Sequence, residues 1–346
     1  MNQETLSNKT SAHVALWGGI AFSTIFTLLI WLGDPLTKRF ALDPGDGTTM
    51  FYDWQLAEHT IWGRVTAWGF YALHQIILWV LIYYAQTSVK KYSTGLHPVN
   101  VWALGVNALF VILHLIQTHL WYDALAMDMS SFTSQGSVIL MLCAILVMEN
   151  KRRGMFFSIK APFPERVVSF ARTYHGYLFS WAIVYTFWFH PMVGTPGHLV
   201  GFFYMFLLML QGSLFLTRIH VNKWWTLTQE VTVLFHGTLV AVFQGADIWQ
   251  MFAFGFAAMF VVTQMHGLNL SRFSRWIVGM IYITAMLFVY AADWARLNEV
   301  IRIPLIEYLV AFIIAGLIAL GLWIADRLNK IKLQAPDVYK RTIDQQ

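Results

Sequence analysis

The residues best suited to chemistry lie at the end of a long apolar run, in the segment His114-Leu-Ile-Gln-Thr-His119-Leu-Trp-Tyr-Asp123. Two imidazoles, an amide, a phenol and a carboxylate fall within this one segment. A helix end in contact with lipid does not need so many polar groups, because each polar group removed from water without a partner costs free energy. Histidine and carboxylate side chains bind transition metals and transfer protons. The segment therefore predicts a metal site or a proton-transfer site.

The composition of the chain is that of an integral membrane protein. Of its 346 residues, 58% are hydrophobic and only 12% are charged, whereas about 25% charged residues is usual for a soluble domain. The net charge of +5 does not indicate nucleic-acid binding, because the basic residues lie in short loops between apolar runs. Cys143 is the single cysteine, so neither a disulfide nor a cysteine-based metal site can form within one chain. We expect no cleavable signal peptide, because the first apolar run lacks a basic leader and a small-residue cleavage site.

Ten apolar runs recur along the chain, each long enough to cross about 30 Å of hydrocarbon. No stretch resembles a soluble domain, so residues 1–346 are expected to form a single transmembrane domain. The fold class predicted is all-α, a polytopic membrane helix bundle of about ten spans. The runs are 13–33, 60–86, 99–121, 131–149, 167–190, 199–217, 226–246, 249–267, 276–292 and 304–325.

The distribution of basic residues predicts the orientation. If the N-terminus is cytoplasmic, eighteen Lys and Arg residues lie in inner segments and four, Lys38, Arg39, Arg296 and Arg302, lie in outer segments. Such a bias indicates that both termini are cytoplasmic. The longest outer loop is then 34–58, the basic cytoplasmic loop is 150–166 and the cytoplasmic tail is 327–346. We place the chain in a plasma membrane, the inner membrane of a bacterium.

Five histidines project to the predicted outer third of the bundle: His59, His114, His119, His190 and His198. The last four are the candidate metal ligands. Imidazole and carboxylate ligands suit copper, iron or zinc. Asp123 and Asp53 lie at the same level and are candidates for orienting the ligands or for proton transfer. Arg64 would hold an anionic group. The structural alternatives are a satisfied hydrogen bond between helices for each histidine and an interfacial anchor for Arg64.

A second set of histidines, His74, His175 and His236, lies in the middle and inner parts of three runs. Single histidines on different helices are what axial haem ligation requires. Gly176 and Gly237 each follow a histidine directly and could let a flat macrocycle approach the backbone. This set predicts haem as the alternative cofactor. Glu230 lies near the inner end of its run and Glu307 near the outer end of the last run. Both are interpreted as carboxylates at the start of a helix, where the helix dipole favours a negative charge.

Motifs of several membrane and enzyme classes are absent from the sequence. No predicted span contains the lysine of a retinal protein, and there is neither a His-x-x-His-His cluster nor a His-His pair. Nucleophile-elbow, phosphate-loop and His-Glu-x-x-His patterns are also missing. The composition and histidine pattern therefore predict a class of activity rather than a reaction.

Three functions follow from these patterns. The first is a membrane-embedded oxidoreductase or metalloprotein with a histidine-built site near the outer face. The second is a lipid- or acyl-modifying transferase, in which His74 or His114 is the general base and Arg64 binds the anionic group. The third is a proton-coupled transporter whose pathway is formed by Arg64, Gln75, Glu230 and His236. The expected partners are membrane lipids, a small-molecule substrate and either a second copy or another membrane subunit, with no nucleic acid.

Overall fold

The fold is that of a computed structural model, which describes residues 3–43, 52, 54–89, 91–243, 245 and 247–327, with only the backbone for residues 3–10. Over these ranges the chain forms ten α-helices, three short 3-10 helices and no strands. The all-α prediction is confirmed, and each predicted apolar run overlaps one α-helix. The helices are α1 (Gln3–Thr37), α2 (Ile61–Ser88), α3 (Pro98–Trp121), α4 (Ser131–Arg153), α5 (Glu165–Phe189), α6 (Pro196–Ser213), α7 (Lys223–Phe243), α8 (Trp249–Val262), α9 (Arg272–Tyr290) and α10 (Glu299–Arg327).

Within the described part of the chain, seven helical segments are long and apolar enough to cross a membrane, which is the pattern of an integral membrane protein. The segments are Ser11–Thr37, Ile61–Ser88, Pro98–Trp121, Ser131–Arg153, Lys223–Phe243, Arg272–Tyr290 and Trp294–Arg327. Helix α5 is not among these segments, and its sequence combines Trp, Tyr and Phe with charged and polar residues. Helix α6 has only 18 residues.

Helix α8 is too short to cross a bilayer alone. It has 14 residues, which at 1.5 Å per residue span about 21 Å of the roughly 30 Å of hydrocarbon. The predicted run 249–267 is therefore not one helix, since a 3-10 turn over Gln264–Gly267 follows α8. The end of α8 is hydrogen-bonded to the loop after α4, where Phe157 donates its N–H to the carbonyl of Val262 at 2.9 Å.

The chain divides into two compact units. Unit 1 contains residues 1–138 and 176–222, and unit 2 contains residues 139–175 and 223–346. The boundaries fall inside α4 and α5. In unit 1, α2 packs on α3, and α6 packs on both α1 and α3. In unit 2, α8 is central and packs on α7, α9 and α10.

A line of buried polar side chains runs through the interior of unit 1. Trp188 donates its indole N–H to Nδ1 of His74 at 3.3 Å. Nε2 of His74 lies 2.8 Å from the amide oxygen of Asn107, and the amide nitrogen of Asn107 lies 2.8 Å from Oγ of Ser213. The His74 ring also stacks on Phe110, with a centroid separation of 4.3 Å. Because each group has a partner, the line fixes how α2, α3, α5 and α6 pack.

The helix surfaces carry many exposed apolar side chains. Trp17 on α1, Ile61 on α2, Phe288 on α9 and Leu309 on α10 each expose more than half of their surface. A soluble monomer rarely exposes so much contiguous apolar surface. These faces are what a bilayer would cover, in agreement with the composition.

Two acids lie in places that the sequence pattern does not predict. Glu299, not Glu307, opens α10, and Glu307 lies further along the helix with only 8% of its surface exposed. Glu230 is also not an exposed helix-start carboxylate, because it is 8% exposed and paired with Arg153. The sequence pattern fails here because burial depends on which helix packs against each face.

Candidate functional site at the end of α3

The backbone turns sharply where α3 ends, at Tyr122. Tyr122 has φ 67° and ψ −60°, and the N–H of Asp123 donates to the carbonyl of Trp121 at 2.8 Å. These are the angles and the hydrogen bond of a γ-turn with positive φ, a rare and strained conformation. The turn directs Asp123 back toward the start of α2. Strain of this kind persists only where the surrounding structure holds it, and it is enriched at functional sites.

Asp123 is a buried carboxylate whose two oxygens have different partners. Its side chain is 1% exposed. One oxygen accepts the N–H of Leu56 at 3.1 Å, and the other lies 2.8 Å from Nδ1 of His59. Gln117 donates its amide N–H to the backbone carbonyl of Asp123 at 2.5 Å. Burial raises the pKa of Asp123, and the bonds from Leu56 and His59 oppose that shift.

His59 completes a carboxylate–histidine pair with Asp123. Since a carboxylate only accepts, Nδ1 of His59 carries the proton and Nε2 keeps its lone pair. The imidazole is 31% exposed, and among the described residues no side chain or backbone group bonds Nε2. His59 directly precedes Thr60, which caps the N-terminus of α2 by accepting the N–H of Gly63 at 2.9 Å. The pair therefore presents an oriented base to solvent at the end of two packed helices.

Gly63 allows α2 to approach Asp123 closely. A Cβ atom at this position would lie 3.3 Å from Cβ of Asp123 and 3.0 Å from Oγ1 of Thr60. Such contacts are tighter than van der Waals packing permits without movement. Glycine is the residue that lets a backbone come this near to another group.

A second carboxylate pair lies beside the first. Arg64 on α2 donates from Nη2 to Oδ1 of Asp128 at 2.8 Å and from Nε to Oδ2 at 3.0 Å. Trp68 donates its indole N–H to the same carboxylate at 2.9 Å. Partial burial acts to raise the pKa of Asp128, but the Arg64 and Trp68 hydrogen bonds and the Arg64 charge outweigh it, so the pKa is lowered. Together, Asp123, His59, Arg64, Asp128 and Trp68 form what we call the Asp123 site.

The predicted metal ligands are only partly brought together. The His190 and His198 rings are 5.6 Å apart, centroid to centroid, and Trp54 packs against both. Nε2 of His198 is buried with no partner in the described part of the chain. His114 and His119 instead direct both ring nitrogens at other groups of the protein. Nε2 of His114 lies 2.9 Å from the carbonyl of His190, and Nδ1 of His119 lies 2.7 Å from that of Leu115.

The remaining sequence-predicted residues do not converge. His74 lies in unit 1 with both nitrogens hydrogen-bonded, so neither is available to a haem iron. His175 and His236 lie in unit 2, and Nδ1 of His175 is 2.7 Å from the carbonyl of Arg172. Within the described ranges, no three His, Cys, Asp or Glu residues form a group that could hold a metal ion. Asp53 lies outside the described residues.

Asp128 and Trp68 are members of the Asp123 site that have no role in the sequence prediction, and His59 appears there only as one of the outer histidines. Its signal was weak, since His59 is one of several histidines near helix ends and is distant in sequence from Asp123. The useful indication would have been its place directly before a Thr60 helix cap. A residue directly before a helix cap is held at the end of that helix rather than in a free loop.

Comparison with known proteins gives no family. No protein-family model matches the chain, and no curated protein or solved structure is significantly similar to it.

Proposed function

We propose that this chain is an integral membrane enzyme in which His59, oriented by Asp123, performs acid–base chemistry on an amphiphilic substrate at the membrane surface. One observation carries the proposal: a fully buried carboxylate that uses one oxygen on a backbone N–H and the other on an imidazole whose second nitrogen is open. If Asp123 and His59 served only to attach the segment before α2, the second ring nitrogen of His59 would not need to be accessible.

The chemistry of the pair is a reversible proton transfer. Nε2 of His59 accepts a proton from a substrate hydroxyl or from water, while Nδ1–H stays hydrogen-bonded to Asp123. The charge that forms on the imidazole is stabilised by the adjacent carboxylate. His59 then returns the proton to the leaving group, so the enzyme is unchanged after one cycle. Asp123 is a positioning residue in this scheme because it acts through His59.

The surroundings of the pair favour a substrate with both apolar and polar parts. Ile61, Trp62 and Val65, on the first turns of α2, expose 65%, 61% and 51% of their surface. The guanidinium of Arg64 lies on the same turns and is 46% exposed. An acyl chain would lie against the apolar residues, and an anionic headgroup would find Arg64 beside the base. This is the chemistry of the lipid- or acyl-modifying class.

The proposal includes a topology. Ten spanning segments with both termini in the cytoplasm would place the Asp123 site at the outer face of a bacterial inner membrane. The basic residues support this orientation. In this topology, α8 crosses the membrane together with the 3-10 turn over Gln264–Gly267 and the loop after α4.

A second candidate function is favoured by the histidine pair of α5 and α6. His198 has a buried ring nitrogen without a partner, and His190 lies beside it. Two imidazoles are a minimal set for copper, zinc or iron when a substrate or water completes the coordination. Elemental analysis of the protein purified in mild detergent tests this. Stoichiometric metal in the wild type, lost in His198→Ala, would support a metalloprotein, whereas a metal-free folded sample would leave only the acid–base reading.

The main proposal is tested with purified protein, a membrane lipid extract and mass spectrometry of the products. We expect product formation by the wild type and a loss of about 10²–10⁴-fold in His59→Gln, the range for removal of a general base. The control is His13→Gln, which removes an exposed histidine of α1. A catalytic role is excluded if His59→Gln and the control form product at equal rates.

Asp123→Asn separates positioning from simple folding. The amide keeps an oxygen for the N–H of Leu56 but presents an N–H group to His59, which forces the proton onto Nε2. The open nitrogen then loses its lone pair. Reaction of His59 with diethyl pyrocarbonate, followed by peptide mass spectrometry, should slow at least tenfold in this variant. Equal reaction rates in the two proteins would contradict the proposed orientation.

A further inference from the structure

Unit 2 contains a set of buried charged groups, Arg153, Glu230 and Glu307, that we call the buried charge cluster. Arg153 is the last residue of α4, and its Nη1 donates to Oε2 of Glu230 on α7 at 2.6 Å. The two side chains are 3% and 8% exposed. Burying an ion pair is costly, so an intramembrane pair of this kind indicates a function.

Glu307 is a third ionisable group in the same place. It lies on α10 inside the apolar segment Trp294–Arg327 and is 8% exposed. Over the described residues, it has no ion pair within 4 Å and no hydrogen bond. The groups that act on it electrostatically are Arg153 and Glu230, together with Cys143 and Tyr308. The helix packed most closely on α10, α8, contributes no ionisable side chain.

The neighbouring cations are already used by other groups. Arg152 pairs with Glu149 and donates from Nη1 to the carbonyl of Gly267 at 3.0 Å. Arg172 donates to the carbonyl of Met148 at 2.9 Å. Within the described part of unit 2, Arg153 is thus the cation that Glu230 and Glu307 share, and its charge also acts on Glu149, which is paired with Arg152.

Arg153 itself has a donor without a partner. Its Nε is buried, and no acceptor bonds it in the described residues. An unpaired charged donor in a buried site costs free energy, because it has lost water and gained nothing in exchange. The guanidinium can therefore gain a second carboxylate bond if Glu307 ionises, or exchange one carboxylate for the other.

We propose that the buried charge cluster is a proton-binding site through which unit 2 transfers protons within the membrane. One guanidinium can neutralise one carboxylate, so the cluster of two carboxyls holds one proton. A carboxyl in an apolar interior without a counter-ion is held in its neutral form. The proton therefore resides on Glu307 while Glu230 is paired with Arg153.

The transfer step is balanced without any further reactant. The proton leaves the carboxyl of Glu307 and is accepted by the carboxylate of Glu230, directly or through water, and Arg153 moves its hydrogen bonds to the newly ionised Glu307. The total charge of the cluster is the same before and after. This step uses residues of unit 2 and is independent of the His59 chemistry, so either proposal can fail alone.

Infrared difference spectroscopy of the wild-type protein tests whether Glu307 carries a proton. We expect a carbonyl band of a buried, protonated carboxylic acid at neutral pH that disappears in Glu307→Gln, a variant that preserves the shape of the neutral acid. Glu299→Gln is the matched control, because Glu299 is a buried carboxyl at the start of the same helix, bonded by Arg296. The proposal is overturned if the band is absent from the wild type or unchanged in Glu307→Gln.

Proton movement is then measured in liposomes that contain a pH-sensitive dye and the full chain. After an external acid pulse, we expect entry to be at least tenfold slower in Glu307→Gln than in the wild type and unchanged in Glu299→Gln. Equal rates in the wild type, Glu307→Gln and protein-free liposomes would overturn the transfer step. If Glu307→Gln does not fold, the pH titration of the wild-type infrared band still decides whether the site exchanges its proton.

Discussion

The Asp123 site and the buried charge cluster each contain a buried carboxyl group, but the hydrogen-bonding partners of the two carboxyls differ. In unit 1 the buried carboxylate of Asp123 has a bond on each oxygen, and the group that it orients, His59, reaches solvent. In unit 2 the buried carboxyl of Glu307 has no bonded partner in the described residues, and the cation that acts on it, Arg153, is bonded to Glu230. Burial with partners therefore fixes a charge and a geometry, whereas burial without them favours the neutral form of the carboxyl, which is the form that the proposed proton transfer requires.

The largest effect should come from breaking the ion pair of the buried charge cluster. Arg153→Met leaves Glu230 buried without a cation, and the expected loss is about 3–5 kcal/mol of stability. The double variant Arg153→Met with Glu230→Leu should recover most of this loss, because a well-packed apolar pair can replace a buried ion pair. Thermal unfolding in detergent measures both. A single variant as stable as the wild type would show that the pair is solvated.

A smaller effect is expected from the pair in the Asp123 site. His59→Ala and Asp123→Ala should each cost about 1–3 kcal/mol, since each leaves one hydrogen-bonding partner unsatisfied. The double variant should cost less than the sum of the two, because the second change removes a group that has already lost its partner. A double-mutant cycle by thermal unfolding gives the coupling energy. Strict additivity would mean that the two side chains do not interact in the protein.

The smallest effect on stability is expected at the exposed ion pair of Arg64 and Asp128. Arg64→Met should change the unfolding temperature much less than Arg153→Met, since solvent screens Arg64.

The pKa of Asp128 is lowered by its bonds in the folded state, so its contribution to stability is complete above the unfolded pKa. That contribution is lost as the pH falls through the folded value. Unfolding curves of the wild type and Asp128→Asn should therefore converge in acid, and a gap that widens in acid would contradict the assignment.

Much of the fold could be predicted from the sequence, because apolar length and low charge are local properties. Each predicted run overlaps a helix. The run 199–217 extends past the end of α6, and the run 249–267 contains a break that hydropathy does not show. The break lies between Val262 and Gln264, where the chain bonds to a distant loop. A hydropathy pattern contains no information about such a partner.

The candidate sites were less predictable, because they also depend on partners that are distant in the sequence. The sequence selected Asp123 and Arg64 as polar residues near helix ends, but the pairing of Asp123 with His59 depends on the γ-turn at Tyr122. A tyrosine at positive φ has no sequence signature, since only packing makes the conformation tolerable. Likewise, the partner of Glu230 is Arg153, which lies in the predicted basic loop 150–166 but is the last residue of α4 in the structure.

The short α8 has an electrical consequence for unit 2. The non-helical loop after α4 is bonded to its end, and the carbonyl of Met155 accepts hydrogen bonds from Thr263 and Tyr308 at 2.7 and 2.9 Å. Tyr308 directly follows Glu307 in α10, so polar backbone contacts the side chain next to that acid. Under the topology and the proton transfer proposed above, this backbone would thin the insulating layer between Glu307 and one side of the membrane. A proton that enters from that side would cross only a small part of the membrane potential, and an applied voltage would act chiefly on its exit toward the other side.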